Sequence, residues 1–270
     1  MKKDKAGEEM RKFYVVFSFI IILATIFPFT SVMAYDHTTT FGWGYKKNKE
    51  HNPPDAGKYG PMLDKYNSFY VDKSGEKVVY FTFDMGYEDG NTEKILNVLK
   101  KHQVPATFFL AGHYFSSAPK LVKRMVKEGH IIGNHSNNHK DFTSLTEAKI
   151  KEELEAIEEK LEEVAGIKHT QYVRPPRGDF SERTLEITEK LGYTTVFWSS
   201  AFVDWGTEKG SDYAFRSIIE HIHPGAIILL HSTESNAAAL EPLIDELRKR
   251  GYEFKSLDYL LWKETVPFHF

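Results

Sequence analysis

Short apolar runs that each stop at a polar, reactive side chain recur along this chain, separated by amphipathic stretches. The first, Val78 to Gly86, is a β-branched and aromatic run that ends in a carboxylate, Asp84, and a glycine, the pattern of a buried strand with chemistry at its C-terminal end. Ile131 to His135, Tyr172 to Arg174, Thr194 to Asp204 with a small interruption, and Ala226 to His231 repeat the pattern. Short connections between these runs and the helical stretches argue for parallel βα units. The spacing predicts strands over 78–84, 106–111, 131–135, 171–174, 194–199, 226–231 and 253–256. It predicts helices over 91–102, 118–128, 146–165, 181–191, 212–222 and 237–250. Seven strands are one short of a regular eightfold barrel, so the expected fold class is α/β, a distorted (β/α) barrel of about seven parallel strands. Helix 146–165 opens on the N-cap residue Thr146, and its many charges fall around Leu154, Ile157, Leu161 and Val164 at helical spacing, which predicts a solvated face over an apolar stripe.

The segment ahead of the barrel changes the picture of where the protein works. Residues 1–34 combine a basic start, an apolar run from Phe13 to Phe29 and small residues at Val32 and Ala34, the layout of a signal peptide cleaved after Ala34 or of an uncleaved anchor. With Pro28 near its end, the run is short beside the roughly 20 residues of a membrane span, which favours export. Membrane contact is expected only through this segment if it stays uncleaved. An N-terminal extension follows over 35–76, polar and irregular, with aromatics Phe41, Trp43, Tyr45, Tyr59 and Tyr66 that suit either a sugar-stacking arm or packing across the outside of the domain. The catalytic domain is expected over 77–262, with a C-terminal tail at 263–270. A net charge of -3 over 270 residues gives no electrostatic case for nucleic acid. Without cysteine, any metal has to be held by histidine and carboxylate.

His135-Ser136-Asn137-Asn138-His139 sets two imidazoles four apart, a separation that meets on one side of a helical turn and can clamp a divalent ion such as zinc. Asp84 can cap the loop after its strand or serve as a general base, and Arg174, in Arg174-Pro175-Pro176-Arg177-Gly178, is the cation that would keep it ionised. His231 ends its strand where a proton donor could act, and Asp204 could hold the ring and raise its pKa. Trp205 offers a flat face for a sugar ring or packs the rim.

Together these residues resemble the NodB-homology family of polysaccharide deacetylases, carbohydrate esterase family 4, whose five ordered motifs stand here as Thr82-Phe83-Asp84-Met85-Gly86, His135 to His139, Arg174 to Gly178, Val203-Asp204-Trp205 and Leu229-Leu230-His231. The likeness spans about residues 77–262 and implies the NodB-homology fold. It implies Asp84 as base, His135 and His139 as metal ligands, Arg174 as the group orienting the base, Asp204 as tuner and His231 as acid, with Tyr87, Arg177 and Trp205 at the substrate. The Arg-Pro-Pro-Arg-Gly motif, the Gly86-Tyr87-Glu88 string and His231-Ser-Thr-Glu-Ser-Asn-Ala are similar to the muramic-specific branch, which implies the N-acetylmuramic acid of peptidoglycan as substrate, on the route to the δ-lactam of spore cortex. N-acetylglucosamine deacetylation and silent glycan binding are the alternatives. Two departures stand out. Met85 replaces the family's second aspartate, which implies a weakly bound divalent ion, and Ala201 removes one possible partner of Arg174, which leaves that side chain's orientation open.

Overall fold

The computed structural model describes residues 36–205 and 209–265. The signal or anchor expected over residues 1–34 and the last five positions of the tail lie outside the described residues. In chain order the strands are β1 (Phe41–Gly42), β2 (Ser68–Phe69), β3 (Val78–Met85), β4 (Ala106–Leu110), β5 (Ile131–Asn134), β6 (Tyr172–Val173), β7 (Asp179–Phe180), β8 (Thr194–Val196), β9 (Ala226–His231) and β10 (Glu253–Phe254). All seven expected strands form, as β3, β4, β5, β6, β8, β9 and β10.

The main sheet runs β10–β3–β4–β5–β6–β8–β2, with β9 on the other flank of β3, and its ladders are parallel. The ring is drawn shut past β8. There the Ser199 and Ser200 amides donate to the Ile227 carbonyl at 3.0 and 3.1 Å, and the Leu229 amide donates to the Ser200 carbonyl at 2.9 Å. One seam is therefore a single bridge, Ser200 to Ile228, and β2, β6 and β10 span only two residues each, which is the distortion of this (β/α) barrel.

Strand β3 shows how the sequence positions the chemistry. Side chains alternate across a strand, so one set faces the helices and the other faces the barrel axis. Val79, Phe81, Phe83 and Met85 join the outer core with Ile95, Leu96 and Leu99 of helix Thr92–His102 and Leu240, Leu243 and Ile244 of helix Glu234–Lys249. Val78 and Tyr80 join the inner cluster with Phe109, Tyr172, Val196 and Ile227. The Thr82 hydroxyl donates inward to the Ile228 carbonyl at 2.7 Å. Asp84 is the next inward residue, and it reaches the mouth.

Several elements were not expected. The expected helix 118–128 forms as Pro119–Lys127, but a further short helix, Gly112–Ser117, precedes it, and helix Leu257–Thr265 follows the last strand. Leu257 and Leu260 of that helix complete the inner cluster, closing the barrel where β3 and β9 begin. Of the two readings of the extension, the packed one holds: β1 pairs antiparallel with β7, and Phe41, Trp43, Tyr66 and Tyr70 are buried with Phe180, Leu185 and Phe197. Trp43, 8% exposed and donating its indole N–H to the Trp198 carbonyl at 2.9 Å, offers no face to a sugar. Among the described residues no helix is long and apolar enough to cross a membrane.

Candidate active site

Asp84 and Arg174 form the deepest part of the mouth. Arg174 is fully buried, its Nη1 donates to Asp84 Oδ1 at 2.8 Å, its Nε donates to the Val196 carbonyl at 2.9 Å and its Nη2 to the Phe197 carbonyl at 3.1 Å. The guanidinium lies 4.2 Å over the Phe109 ring. The orientation left open by Ala201 is thus held by backbone carbonyls and an aromatic face. A planar fork with every edge engaged cannot swing. Burial alone would raise the Asp84 pKa, but the Arg174 charge, followed by His135 and His231, holds the carboxyl below its ordinary range. Asp84 is therefore an anion at neutral pH.

His135 and His139 meet at a ring separation of 4.8 Å, though not on a helical turn. The segment between them is a loop with left-handed backbone at Ser136 (φ 67°) and His139 (φ 53°). The sequence pattern placed the two rings together correctly but by the wrong local geometry. Glu153 holds the loop in this shape. It accepts from the Ser136 hydroxyl at 2.8 Å, the Asn138 amide at 2.7 Å and the Asn138 side chain at 2.8 Å. Asn134 adds a bond from the Ser136 amide to its Oδ1 at 3.0 Å and anchors itself by donating to the Leu154 carbonyl at 2.9 Å. Gly112 closes the other side, where a Cβ would stand 2.1 Å from Asn137 Oδ1 and 2.6 Å from its carbonyl oxygen. Helix Glu147–Ala165 is therefore not simply a solvated face over a stripe, since Glu153 is buried among its charges. A buried carboxylate costs stability unless its oxygens are met by donors, and these donors belong to the histidine loop.

Two neutral imidazoles result. Burial, opposed by Asp84, lowers the His135 pKa, and partial burial followed by His135 lowers that of His139 to about 4. His135 Nδ1 lies 2.8 Å from the Arg174 carbonyl, which can only accept, so the proton is on Nδ1 and the lone pair on Nε2. That lone pair faces Asp84 Oδ2 at 3.6 Å. Two acceptors facing each other repel, and a cation between them reverses the sign. The tautomer, the second neutral imidazole and the adjacent carboxylate fit a divalent ion. Among the described residues no set of three or more such side chains is already arranged around one point. Met85 adds no donor, because it lies on the helix-facing side of β3, 1% exposed.

His231 stands beside Asp84, the two Cα positions being paired across β9 and β3. Its Nδ1 bonds Asp204 Oδ1 at 2.7 Å, and its own amide donates to Asp204 Oδ2 at 2.8 Å. Asn236, missed at the sequence level, donates to Asp204 Oδ2 and to the His231 carbonyl, at 2.5 and 2.9 Å. Burial would depress the His231 pKa, but the hydrogen bond and charge of Asp204 outweigh it and the net shift is upward. Asn236 lies in the His231-Ser-Thr-Glu-Ser-Asn-Ala string and in the first turn of the helix that follows His231, but its role toward Asp204 shows only in the structure.

The rim carries the expected contact residues. Tyr87 is 73% exposed against the ring of His113, and Trp205 is 65% exposed. Arg177 projects from the loop after Arg174 with left-handed backbone (φ 61°). Gly178 must be glycine there, since a Cβ would lie 2.7 Å from the Trp198 ring. The mouth thus holds a fixed anion and a protonatable imidazole on neighbouring strands, a pair of neutral imidazoles beside them, and a cationic and aromatic rim. Such a constellation can deprotonate water and protonate a leaving group.

Comparison with known proteins agrees with this chemistry. The family model described as polysaccharide deacetylase matches residues 72–196. The peptidoglycan-N-acetylmuramic acid deacetylase PdaA of Bacillus subtilis is 50% identical over 228 residues, covering 83% of this chain and 87% of that protein. An uncharacterised protein of Geobacillus stearothermophilus is 51% identical, covering 94% of this chain and 97% of its own length. The solved structure of Bacillus subtilis PdaA, described as a family 4 carbohydrate esterase, superposes with a TM-score of 0.82 at 48% identity, covering 84% of this chain and 99% of that one.

Proposed function

The chain belongs to the polysaccharide deacetylase family, carbohydrate esterase family 4, and on that premise we propose that it removes the N-acetyl group from N-acetylmuramic acid in peptidoglycan. The observation that carries the reaction type is the register pairing of Asp84 with His231, which sets a carboxylate held anionic beside an imidazole whose pKa is raised. Pairs of titratable groups pushed in opposite directions are the mark of a base and an acid.

In this reading Asp84 takes a proton from water as the oxygen adds to the acetamide carbon. His231 then gives a proton to the amine nitrogen as the C–N bond breaks, leaving acetate and a free amine. Arg174 keeps the base ionised and immobile, and Asp204 with Asn236 keeps the imidazole charged and aimed. A divalent ion held by His135 and His139 would supply positive charge at the acetamide carbonyl and lower the cost of ionising the water. Because Met85 contributes nothing to the site, we expect that ion to be weakly held.

Muramic acid differs from glucosamine by a lactyl carboxylate, and Arg177 is the rim cation that suits it. Tyr87 and Trp205 would take the sugar faces. The freed amine and the lactyl carboxyl close a six-membered ring with loss of water, so the reaction that consumes this product is lactam formation, as for spore-cortex muramic δ-lactam. A wall substrate also agrees with export directed by residues 1–34, either to the wall or to the forespore envelope. The test is product analysis by mass on peptide-free muramic glycan and on N-acetylglucosamine oligomers. Loss of acetyl from the muramic residues alone is expected, and loss from the glucosamine oligomers alone would overturn the assignment.

A further inference from the structure

One lip of the mouth carries two exposed rings in contact. Tyr87 follows the end of β3 and His113 follows the end of the neighbouring strand β4, and their rings lie 4.5 Å apart at an interplanar angle of 45°. Both side chains are open to solvent, and Tyr87, at 73%, is the most exposed large apolar side chain among the described residues. Burying such a ring pair inward would be favourable, so its outward placement points to a ligand with an apolar face.

The rings are mounted on fixed supports. Glu88, next to Tyr87, accepts from the Gly90 amide at 2.7 Å through Oε1 and from the Tyr114 hydroxyl at 2.7 Å through Oε2. Tyr114, next to His113, is fully buried, and its hydroxyl also lies 3.0 Å from that of Thr92. Glu88 therefore ties the loop that carries Tyr87 to the helix that carries His113. That helix is tied in turn to the histidine loop, because the Gly112 amide donates to the Ser136 and Asn137 carbonyls at 3.3 and 3.1 Å. Exposed rings held from beneath lose little freedom when something settles on them, which is what a preorganised binding face requires.

The place of the pair names its occupant. Tyr87 stands three residues beyond Asp84, about 10 Å of chain at most, while Asp84 itself is sunk at 8% exposure. The acetamide that reaches Asp84 thus belongs to a sugar beside the rings and not on them. Strand β5, with its histidine loop, separates this lip from Arg177 after β6. A glycan whose lactyl carboxylate meets Arg177 and whose acetamide meets Asp84 runs its next sugar toward Tyr87 and His113.

We propose that Tyr87 and His113 form a platform for the sugar adjoining the muramic residue under attack, so that the enzyme selects a glycan strand over a single muramic unit. The inference rests on the deacetylase reading and adds His113 and the length of the substrate to it. The experiment compares kcat/KM for acetate release from a peptide-free muramic tetrasaccharide and from the methyl glycoside of N-acetylmuramic acid. Wild type should prefer the tetrasaccharide by about tenfold or more, and His113→Ala and Tyr87→Ala should each remove most of that preference. His113→Phe, which keeps a ring against Tyr87, should retain it. No preference in the wild type, a preference unchanged in His113→Ala, or one lost as fully in His113→Phe overturns the platform while leaving the deacetylase reading in place. Absence of acetate from both substrates overturns the two together. Both side chains are exposed, so the variants report on the lip and not on folding.

Discussion

The mouth contains two ion pairs built as mirror images. In Arg174–Asp84 the cation is the sunken member, with its side chain 0% exposed against 8% for the carboxylate. In His231–Asp204 the anion is the sunken member, at 1%, and the imidazole reaches out at 34%. In each case the deeper group is tied by further hydrogen bonds, to the Val196 and Phe197 carbonyls for Arg174 and to Asn236 and the His231 amide for Asp204. The difference teaches which member acts. The deeper partner is fixed and only sets the charge of the shallower one, so one pair presents a permanent anion and the other a renewable proton.

The largest effect should come from breaking the deeper pair. Arg174→Met leaves Asp84 buried without a counter-charge, which costs about 3–5 kcal/mol of stability. Activity should fall by about a thousandfold or more as the carboxyl takes up a proton. Thermal unfolding beside acetate release checks both, and Arg174→Met/Asp84→Asn should recover much of the stability and none of the activity. The two pairs also respond oppositely to pH. The Asp84 pKa is depressed on folding, so its contribution is present above the unfolded carboxylate value and lost as pH falls through the folded one. The His231 pKa is raised, so its contribution is full below the unfolded imidazole value and lost as pH rises through the folded one.

A smaller effect, outside both pairs, is expected from Glu153→Ala. Freed of the bonds to Ser136 and Asn138, the loop should hold His135 and His139 less well, and affinity for a divalent ion should drop about 10–100-fold. Titration calorimetry with zinc measures this directly, and unchanged affinity would show that the loop keeps its shape unaided. Smaller still, Arg177→Gln should raise KM about tenfold for muramic glycan through loss of one charge-assisted bond, with kcat nearly unchanged. Equal effects on glucosamine oligomers would remove Arg177 from the specificity argument.

The outline of this comparison could be read in the sequence, since strand alternation puts Asp84 inward and Met85 outward, and apolar runs ending at His135, Arg174 and His231 mark strand ends. The supports were not legible. Glu153 sits in a helix dense with glutamates, and only burial separates it from its solvated neighbours. Asn236 and the carbonyls that hold Arg174 act across 32, 22 and 23 positions of chain, and backbone acceptors have no residue type to read. Helix Leu257–Thr265 was hidden for a related reason: it is short and takes its order from the barrel it covers.

The most direct test of the mirrored pairs is the pH profile of kcat/KM for wild type and Asp204→Asn on muramic glycan. Without the Asp204 charge the His231 pKa should fall, so the basic limb should move to lower pH while the acidic limb, set by Asp84, stays in place. A basic limb that does not move, or an acidic limb that moves instead, would contradict the assignment of the two pairs.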